Sequence, residues 1–307
     1  MEDRLSDLKK QLNTLKDKLK NYNLDDIRRA RQTLERRQQQ HWNGAGGGVR
    51  NRCYLKMQDI DEKFQLCRNV NVFLDLCGGP GQFAKYIFDV NADCLGYGVT
   101  LRNDCDYSFD HPNFRKMYGC FDTGDVFDAN VLFELMYFCR NKCDLVVADG
   151  AFDVSGREND QESLSFNLIR KECSIIVDAL RAGGNCVLKI FDTFERSTIS
   201  LLEDFVSHFN EYAIYKPPHS RAANSERYLV CKGKLADGTN TDIVKKRPRF
   251  EARTRHFALR QKRALDQLLC ILEDAHHATD ACNAQLENLR LGPAGILSGH
   301  SRPPRNL

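Results

Sequence analysis

The chain reads as an α/β protein: a mostly parallel sheet with helices on both faces, one antiparallel strand, and a helical extension at each end. Three observations carry this. From residue 50 to about 233, apolar runs of strand length alternate with helix-period patterns, the order expected of strands joined by helical crossovers. The last two apolar runs have only a loop between them, so they form a hairpin and one strand runs antiparallel. Leu5, Leu8, Leu12, Leu15 and Leu19 recur at alternating three- and four-residue steps, which lays one leucine stripe along a helix.

Taken in order, the leucine stripe predicts a short coiled coil or helical hairpin. Asn23 breaks it, and Asp25 with Asp26 mark the start of a second helix to about residue 40. GAGGG at 44–48 is a flexible joint. The central region then runs NVFLDLC and the helical GQFAKYIF; CLGYGVT; FRKMYG and ANVLFELMYFCR; CDLVVADG and ESLSFNLIRKECSIIVDALRA; GNCVLKIF and STISLLEDFVSHF; YAIYKP; RYLVCKG. The resulting organisation is a helical segment at 1–43, a main domain at 44–235, a linker at 236–249, a second helical segment at 250–291 and a disordered tail at 292–307.

Composition narrows the function classes. The 307 residues are 42% hydrophobic and 28% charged, ordinary for a globular chain, and no apolar run is long enough to span a bilayer. The charged MEDRLSDLKKQ start lacks the apolar stretch of a signal peptide, so an intracellular protein, nuclear or cytoplasmic, without membrane association is expected. Thirteen cysteines without a CxxC pair fit reduced thiols. Cys139, Cys143, His276, His277 and Cys282 match no common zinc spacing, so no metal is expected. Net charge is only +3, but basic residues cluster at 28–37, 49–52 and 245–255, where they either bind phosphates or form solvated faces. KKRPR at 245–249 reads as an import signal or a phosphate patch.

The stretch VFLDLCGGPGQFAKYIF at 72–88 is a strand delivering the chain to a glycine turn and then a helix, a place where backbone approaches a ligand. Gly79, Gly81 and Ala84 match the dinucleotide fingerprint. The acid that would bind ribose is missing, because Thr100 and Leu101 stand where it belongs. A nucleoside cofactor without pyrophosphate remains: the sulfonium and amino-acid end of S-adenosylmethionine suit Asp75 beside the glycines. Further on, VVADG sets Asp149 at one strand end, VLKIF sets Lys189 at the next, and NSERYLV sets Glu226 before the last strand. A lysine on an apolar strand is costly to bury unless acids pair with it. With Lys56 added, two lysines and two carboxylates converge on one cleft, either for chemistry or as an ion-pair network alone.

RNRCYLKM, DLCGGPGQF, TGDV, ADGAFDVSG, CVLKIFD and KPPHSRAANSERYLVCKG resemble, in order and spacing across residues 50–233, the motifs of FtsJ-like ribose 2′-O-methyltransferases. The similarity is greatest to the mRNA cap 2′-O-methyltransferases, on account of the PPHSRAANSE loop. The resemblance implies a Rossmann-like, S-adenosylmethionine-dependent methyltransferase sheet with Lys56, Asp149, Lys189 and Glu226 as the catalytic tetrad. It implies a cofactor site at Asp75, Cys77, Gly78, Gly79, Pro80, Gly81, Gln82, Phe83, Gly98, Asp125, Val126 and Asp149. For the RNA it implies Asn51, Arg52, Cys53, Tyr54, Leu55, Asn159, Asp160, Gln161, Ser220, Arg221 and Asn224, with capped mRNA or another RNA as substrate.

Two departures stand out. Gln82 replaces a glycine common in the family and narrows the cofactor pocket, and the accessory modules of large cellular cap enzymes are absent, as in a viral member. Open alternatives are methylation of ribosomal or transfer RNA, and a catalytically silent cofactor-binding scaffold. Trp42 either stacks on a cap or plugs the domain edge. The terminal helices serve dimerisation, docking of a protein partner, or packing on the core.

Overall fold

The protein is described by a computed structural model covering residues 2–39, 51–152, 154, 156–240 and 247–290. Trp42, the 44–48 joint and the 292–307 tail lie outside the described residues.

Seven strands, β1 (Val72–Leu76), β2 (Leu95–Val99), β3 (Phe114–Met117), β4 (Cys143–Ala148), β5 (Leu180–Ile190), β6 (Phe209–Tyr215) and β7 (Arg227–Lys234), form one sheet in the order β3-β2-β1-β4-β5-β7-β6. All neighbouring pairs are parallel except β5–β7 and β6–β7, so β7 is the one reversed strand and the hairpin lies at the edge where it was expected. The chain runs outward from β1 to β3, then returns to β4 on the other side of β1. That reversal leaves a crevice at the carboxyl ends of β1 and β4, where open α/β sheets hold ligands.

Side chains alternate across this sheet with period two. Leu74, Leu76, Val146, Ala148, Cys186, Leu188, Leu229 and Cys231 join α5 (Ala129–Cys139), α6 (Gln161–Ala179) and α7 (Arg196–Ser207) in one core. Phe73, Leu145, Val147, Val187, Tyr228 and Val230 face the other way, under α3 (Arg52–Phe64) and α4 (Gln82–Val90). By the same alternation Asp75 and Lys189 fall on the α3 side, as does Asp149 one residue past β4.

The terminal helices α1 (Glu2–Leu19) and α2 (Leu24–Gln39) pack along α8 (Arg247–Arg290), which starts three residues before the segment the sequence suggested. Leu8 and Leu12 meet Ala258 and Leu265; Ile27, Ala30 and Leu34 meet Leu268 and Leu272. The leucine stripe is thus used within the chain. α1 ends at Leu19, four residues before Asn23; Asn23 caps α2, accepting from the Asp26 amide at 2.8 Å, while Asp25 and Asp26 lie in the first turn and favour the helix dipole. Lys16 reaches Asp192 beyond β5 (3.5 Å), and Asp192 in turn accepts from the buried Arg227 (2.7 Å), so α1 is tied to the strands of the crevice. No helix among the described residues is long and apolar enough to cross a membrane.

Candidate active site

The carboxyl ends of β4 and β5, the start of the reversed β7 and the first turns of α3 bring two lysines and two acids together. Lys189 on β5 lies opposite Tyr228 on β7 in the ladder. Continuing the β4–β5 register two residues past Val147–Val187 sets Asp149 beside Lys189. Lys189 Nζ is 3.2 Å from Asp149 Oδ1 and 3.5 Å from Glu226 Oε2. Lys56, descending from α3 onto the same face, is 3.0 Å from Glu226 Oε1. Lys56, Lys189 and Glu226 are all buried.

Tyr228, which the sequence reading passed over, joins the halves. Its hydroxyl donates to Asp149 Oδ1 at 2.7 Å and accepts from Lys56 Nζ at 3.3 Å. The signal was present: Glu226 lies one residue before β7 and two before Tyr228, so in extended chain both point to one face. Ser220 completes the set by donating to Glu226 Oε1 at 2.7 Å.

Burial works to lower the Lys189 pKa, but Asp149 and Glu226 outweigh it and hold the amine above the ordinary lysine value. For Glu226, burial is overcome by Lys189, Lys56 and the Ser220 hydroxyl, which draw its pKa down to about 2. Both shifts run toward the charged forms, the direction that favours ion pairing within the cluster.

The glycine turn lies next to this cluster. Asp75 pairs with Val147 across β1–β4, two residues from Asp149, and is fully buried, with no side-chain partner for its carboxylate among the described residues and only the Ala84 amide close to it. Burial, then the charge of Asp149, pushes its pKa well above the carboxylate range. A Cβ on Gly78 would collide with that carboxylate, and one on Gly79 with the Cys105 carbonyl. Gly81, at φ 96°, turns the chain into α4. Pro80 is exposed, Cys77 and Gln82 are half-buried, and buried Phe83 meets the Tyr228 ring with centroids 5.9 Å apart. A buried acid without a side-chain partner, facing bare backbone, fits the cationic amino group of a nucleoside amino acid such as S-adenosylmethionine.

At the second strand end, Gly124 sits tight against the Thr100 carbonyl, which brings Asp125 and the buried Val126 to the crevice. Asp125 accepts from the Phe127 amide at 2.9 Å. The space over Gly98 is taken by Phe114 and Tyr107, so that glycine makes room for aromatic packing.

The expected RNA residues divide between roles. Asn51 caps α3 through the Cys53 amide (2.8 Å), Tyr54 donates to Asp89 (2.8 Å), and Leu55 packs against the α3 core. The Cys53 thiol is raised by burial and by Asp149. Arg52 pairs with Glu35 at 2.6 Å, and Asp160 with Arg157 at 3.5 Å. Gln161 accepts from Ser225 at 2.7 Å, and Asn159 donates to Asp17 on α1 at 3.0 Å. Arg221, Asn224 and Gln161 line a cavity of about 500 Å³ whose opposite wall is α1 and α2, with Lys16, Lys20 and Arg31 on it. Burial, then the nearby Arg221, lowers the Arg31 pKa.

The FtsJ-like methyltransferase family matches residues 49–234. A relative from Autographa californica nuclear polyhedrosis virus, a cap-specific mRNA (nucleoside-2′-O-)-methyltransferase, is 49% identical over 233 residues, spanning 74% of this chain and 86% of the viral protein. One of the same description from Trypanosoma cruzi is 40% identical over 174 residues, 53% of this chain and 48% of its own length. A Caenorhabditis briggsae relative described as an inactive cap-specific methyltransferase is 34% identical over 174 residues, 52% of this chain and 21% of its own length. By the span of that family match and the viral relative's identity, the chain is a member of the FtsJ-like methyltransferase family.

Proposed function

We propose that this protein methylates the ribose 2′-hydroxyl of RNA with S-adenosylmethionine, at the first transcribed nucleotide of capped mRNA. The observation that carries the proposal is the meeting of Lys56, Lys189, Asp149 and Glu226 on one face of the sheet, beside Asp75 at the glycine turn, whose carboxylate has no side-chain partner among the described residues. Since family membership extends to a relative described as inactive, the filled tetrad, not the match, argues for catalysis.

When bound, the cofactor supplies a methyl group activated by a positively charged sulfur. Asp75 and the backbone of Gly78 to Gly81 would hold its amino-acid end, and Asp125 with Val126 would hold its nucleoside end. A ribose hydroxyl is a weak nucleophile, so alignment and charge are the tasks left to the protein. Lys189, kept as an ammonium by Asp149 and Glu226, would stabilise the negative charge developing on the 2′-oxygen as the hydroxyl proton is lost to solvent and the oxygen takes the methyl group. Lys56, held by Glu226 and Tyr228, positions the ribose or its phosphate. No metal is called for, because phosphate is bound and not transferred.

The cavity beside the tetrad supports a capped end. Asn224 and Ser225, immediately before Glu226, form part of its wall; Lys16, Lys20, Arg31 and Arg221 supply positive charge and Tyr22 an aromatic ring. That combination suits a charged phosphate bridge followed by a base. The names of the viral and trypanosomal relatives point the same way.

The test is mass spectrometry of matched short RNAs, capped and uncapped, after incubation with protein and S-adenosylmethionine. One methyl group on the first ribose of the capped RNA is the expected product. Methylation of both RNAs alike moves the assignment to ribosomal or transfer RNA, and no methylation leaves a binding scaffold.

A further inference from the structure

We propose that Lys216 is a positioning residue for methyl transfer: its amine clamps the loop between β6 and β7 and, by fixing Glu226, sets the place and charge of Lys189. This rests on the ribose-methylation reading above.

Lys216 is the first residue past β6, and its Nζ donates to the Asn224 carbonyl (2.9 Å), the Asn224 side-chain oxygen (2.9 Å) and the Glu226 carbonyl (2.8 Å). An ammonium has three N–H donors, and three acceptors surround this one, so none is left over for a phosphate. Burial, opposed by Glu226 and Asp192 and aided by Arg227 and Arg260, draws the pKa down to about 7. Below that pH the amine carries all three protons that the acceptors take.

The same loop is fastened from outside. Asp59, on the helix that carries Lys56, accepts from the His219 amide at 3.0 Å and pairs with the His219 ring at 2.9 Å. Ser220, next in the chain, holds Glu226 Oε1. Glu226 is therefore fixed by its backbone through Lys216 and by its carboxylate through Ser220, Lys56 and Lys189. With the Lys216 amine gone, the carbonyls of Asn224 and Glu226 lose their shared donor and the loop is free to move the carboxylate off Lys189.

The test uses full-length Lys216→Met, which keeps the aliphatic stem, and Lys216→Gln, which retains a donor. We expect kcat on capped RNA to fall about tenfold or more in Lys216→Met and less in Lys216→Gln, with the KM for RNA and cofactor affinity changed less than about threefold. Amide exchange in 219–225 should quicken. The apparent pKa in the kcat profile should fall, because a displaced Glu226 no longer supports the Lys189 charge; a merely structural lysine would leave that pKa in place. In a Glu226→Gln background, Lys216→Met should add little. Wild-type kcat in Lys216→Met, a loss matched by equal loss of cofactor binding, or full multiplication of the two effects overturns the proposal. Wild-type protein that transfers no methyl group instead overturns the ribose reading, and exchange in 219–225 then reports the clamp alone.

Discussion

Tyr228 donates its phenolic proton to Asp149 across 2.7 Å while its ring stays buried against Phe83. The two residues belong to strands that are not neighbours, since β5 lies between β4 and β7; the bond spans Lys189. Tyr228→Phe keeps the packed ring and removes only the link between Asp149 and Lys56. A hydrogen bond to a charged group contributes roughly 1.5–3 kcal/mol to stability, so the unfolding free energy should drop by about that much, and methyl transfer should fall about tenfold or more as Asp149 loses its fixed place. Steady-state kinetics beside a urea melt gives the answer, and full activity would show that the hydroxyl is idle.

Lys189→Ala should retain S-adenosylmethionine binding and lose transfer by several orders of magnitude, the pattern of a group that acts mainly in the transition state. Lys189→Arg should fail too, because a planar guanidinium cannot occupy the point between Asp149 and Glu226. Single-turnover rates with labelled cofactor, alongside calorimetric binding, separate the two effects.

Much of this site was legible because strands repeat every two residues. Asp149, Lys189 and Glu226 stand at strand ends in the sequence, and one sheet face with a fixed register was enough to gather them. The glycine turn was legible for the same local reason. What escaped depends on contacts made far along the chain. Lys216 gains its role only when the β6–β7 loop folds back on it, and Asp59 only when that loop reaches α3. The leucine stripe showed a buried helix face but not its partner, which lies some 250 residues on, at Ala258 and Leu265. Asn51 and Tyr54 sit in the stretch expected to contact RNA yet spend their polar atoms on a helix cap and on Asp89, a division that motif matching does not reveal.

Two carboxyls should shape stability against pH in opposite senses. Glu226 is drawn from 4.5 to about 2; the unfolded chain binds the extra proton, so its contribution is present above about 4.5 and lost as pH falls toward 2. Glu172, fully buried against Gly150 and Cys77, is pushed up by burial to about 8. Its folded form holds the proton, so stability is present below about 4.5 and declines as pH rises toward 8. Urea unfolding across this range should show Glu226→Gln flattening the acid limb and Glu172→Gln flattening the neutral decline. A decline that persists in Glu172→Gln would assign it to another group.

Leu12 is completely buried between α1 and α8. Leu12→Ala should lower the unfolding free energy by about 2–5 kcal/mol, the range for large-to-small changes in packed cores. Because Lys16, one helical turn on, ties α1 to Asp192 and thence to Arg227, this variant should also weaken RNA binding. Denaturant midpoints and fluorescence titration with capped RNA test both parts, and a loss below about 0.5 kcal/mol would mean that α1 is only loosely held.

Arg31 and Arg221 approach each other across the cavity closely enough for one to depress the other's pKa, and no carboxylate is bonded to Arg221 among the hydrogen bonds and ion pairs described. Glu35 and Glu158 on the same cavity wall offset part of this repulsion, and an entering phosphate would offset more. Arg221→Ala should therefore weaken capped RNA binding and reduce the slope of log affinity against log salt by about one, the signature of one lost phosphate contact. Cofactor affinity should be unchanged, since the glycine turn lies on the far side of the tetrad. Titrations at several salt concentrations decide the point: an unchanged slope would remove Arg221 from the phosphate path and leave the cavity without its main electrostatic argument.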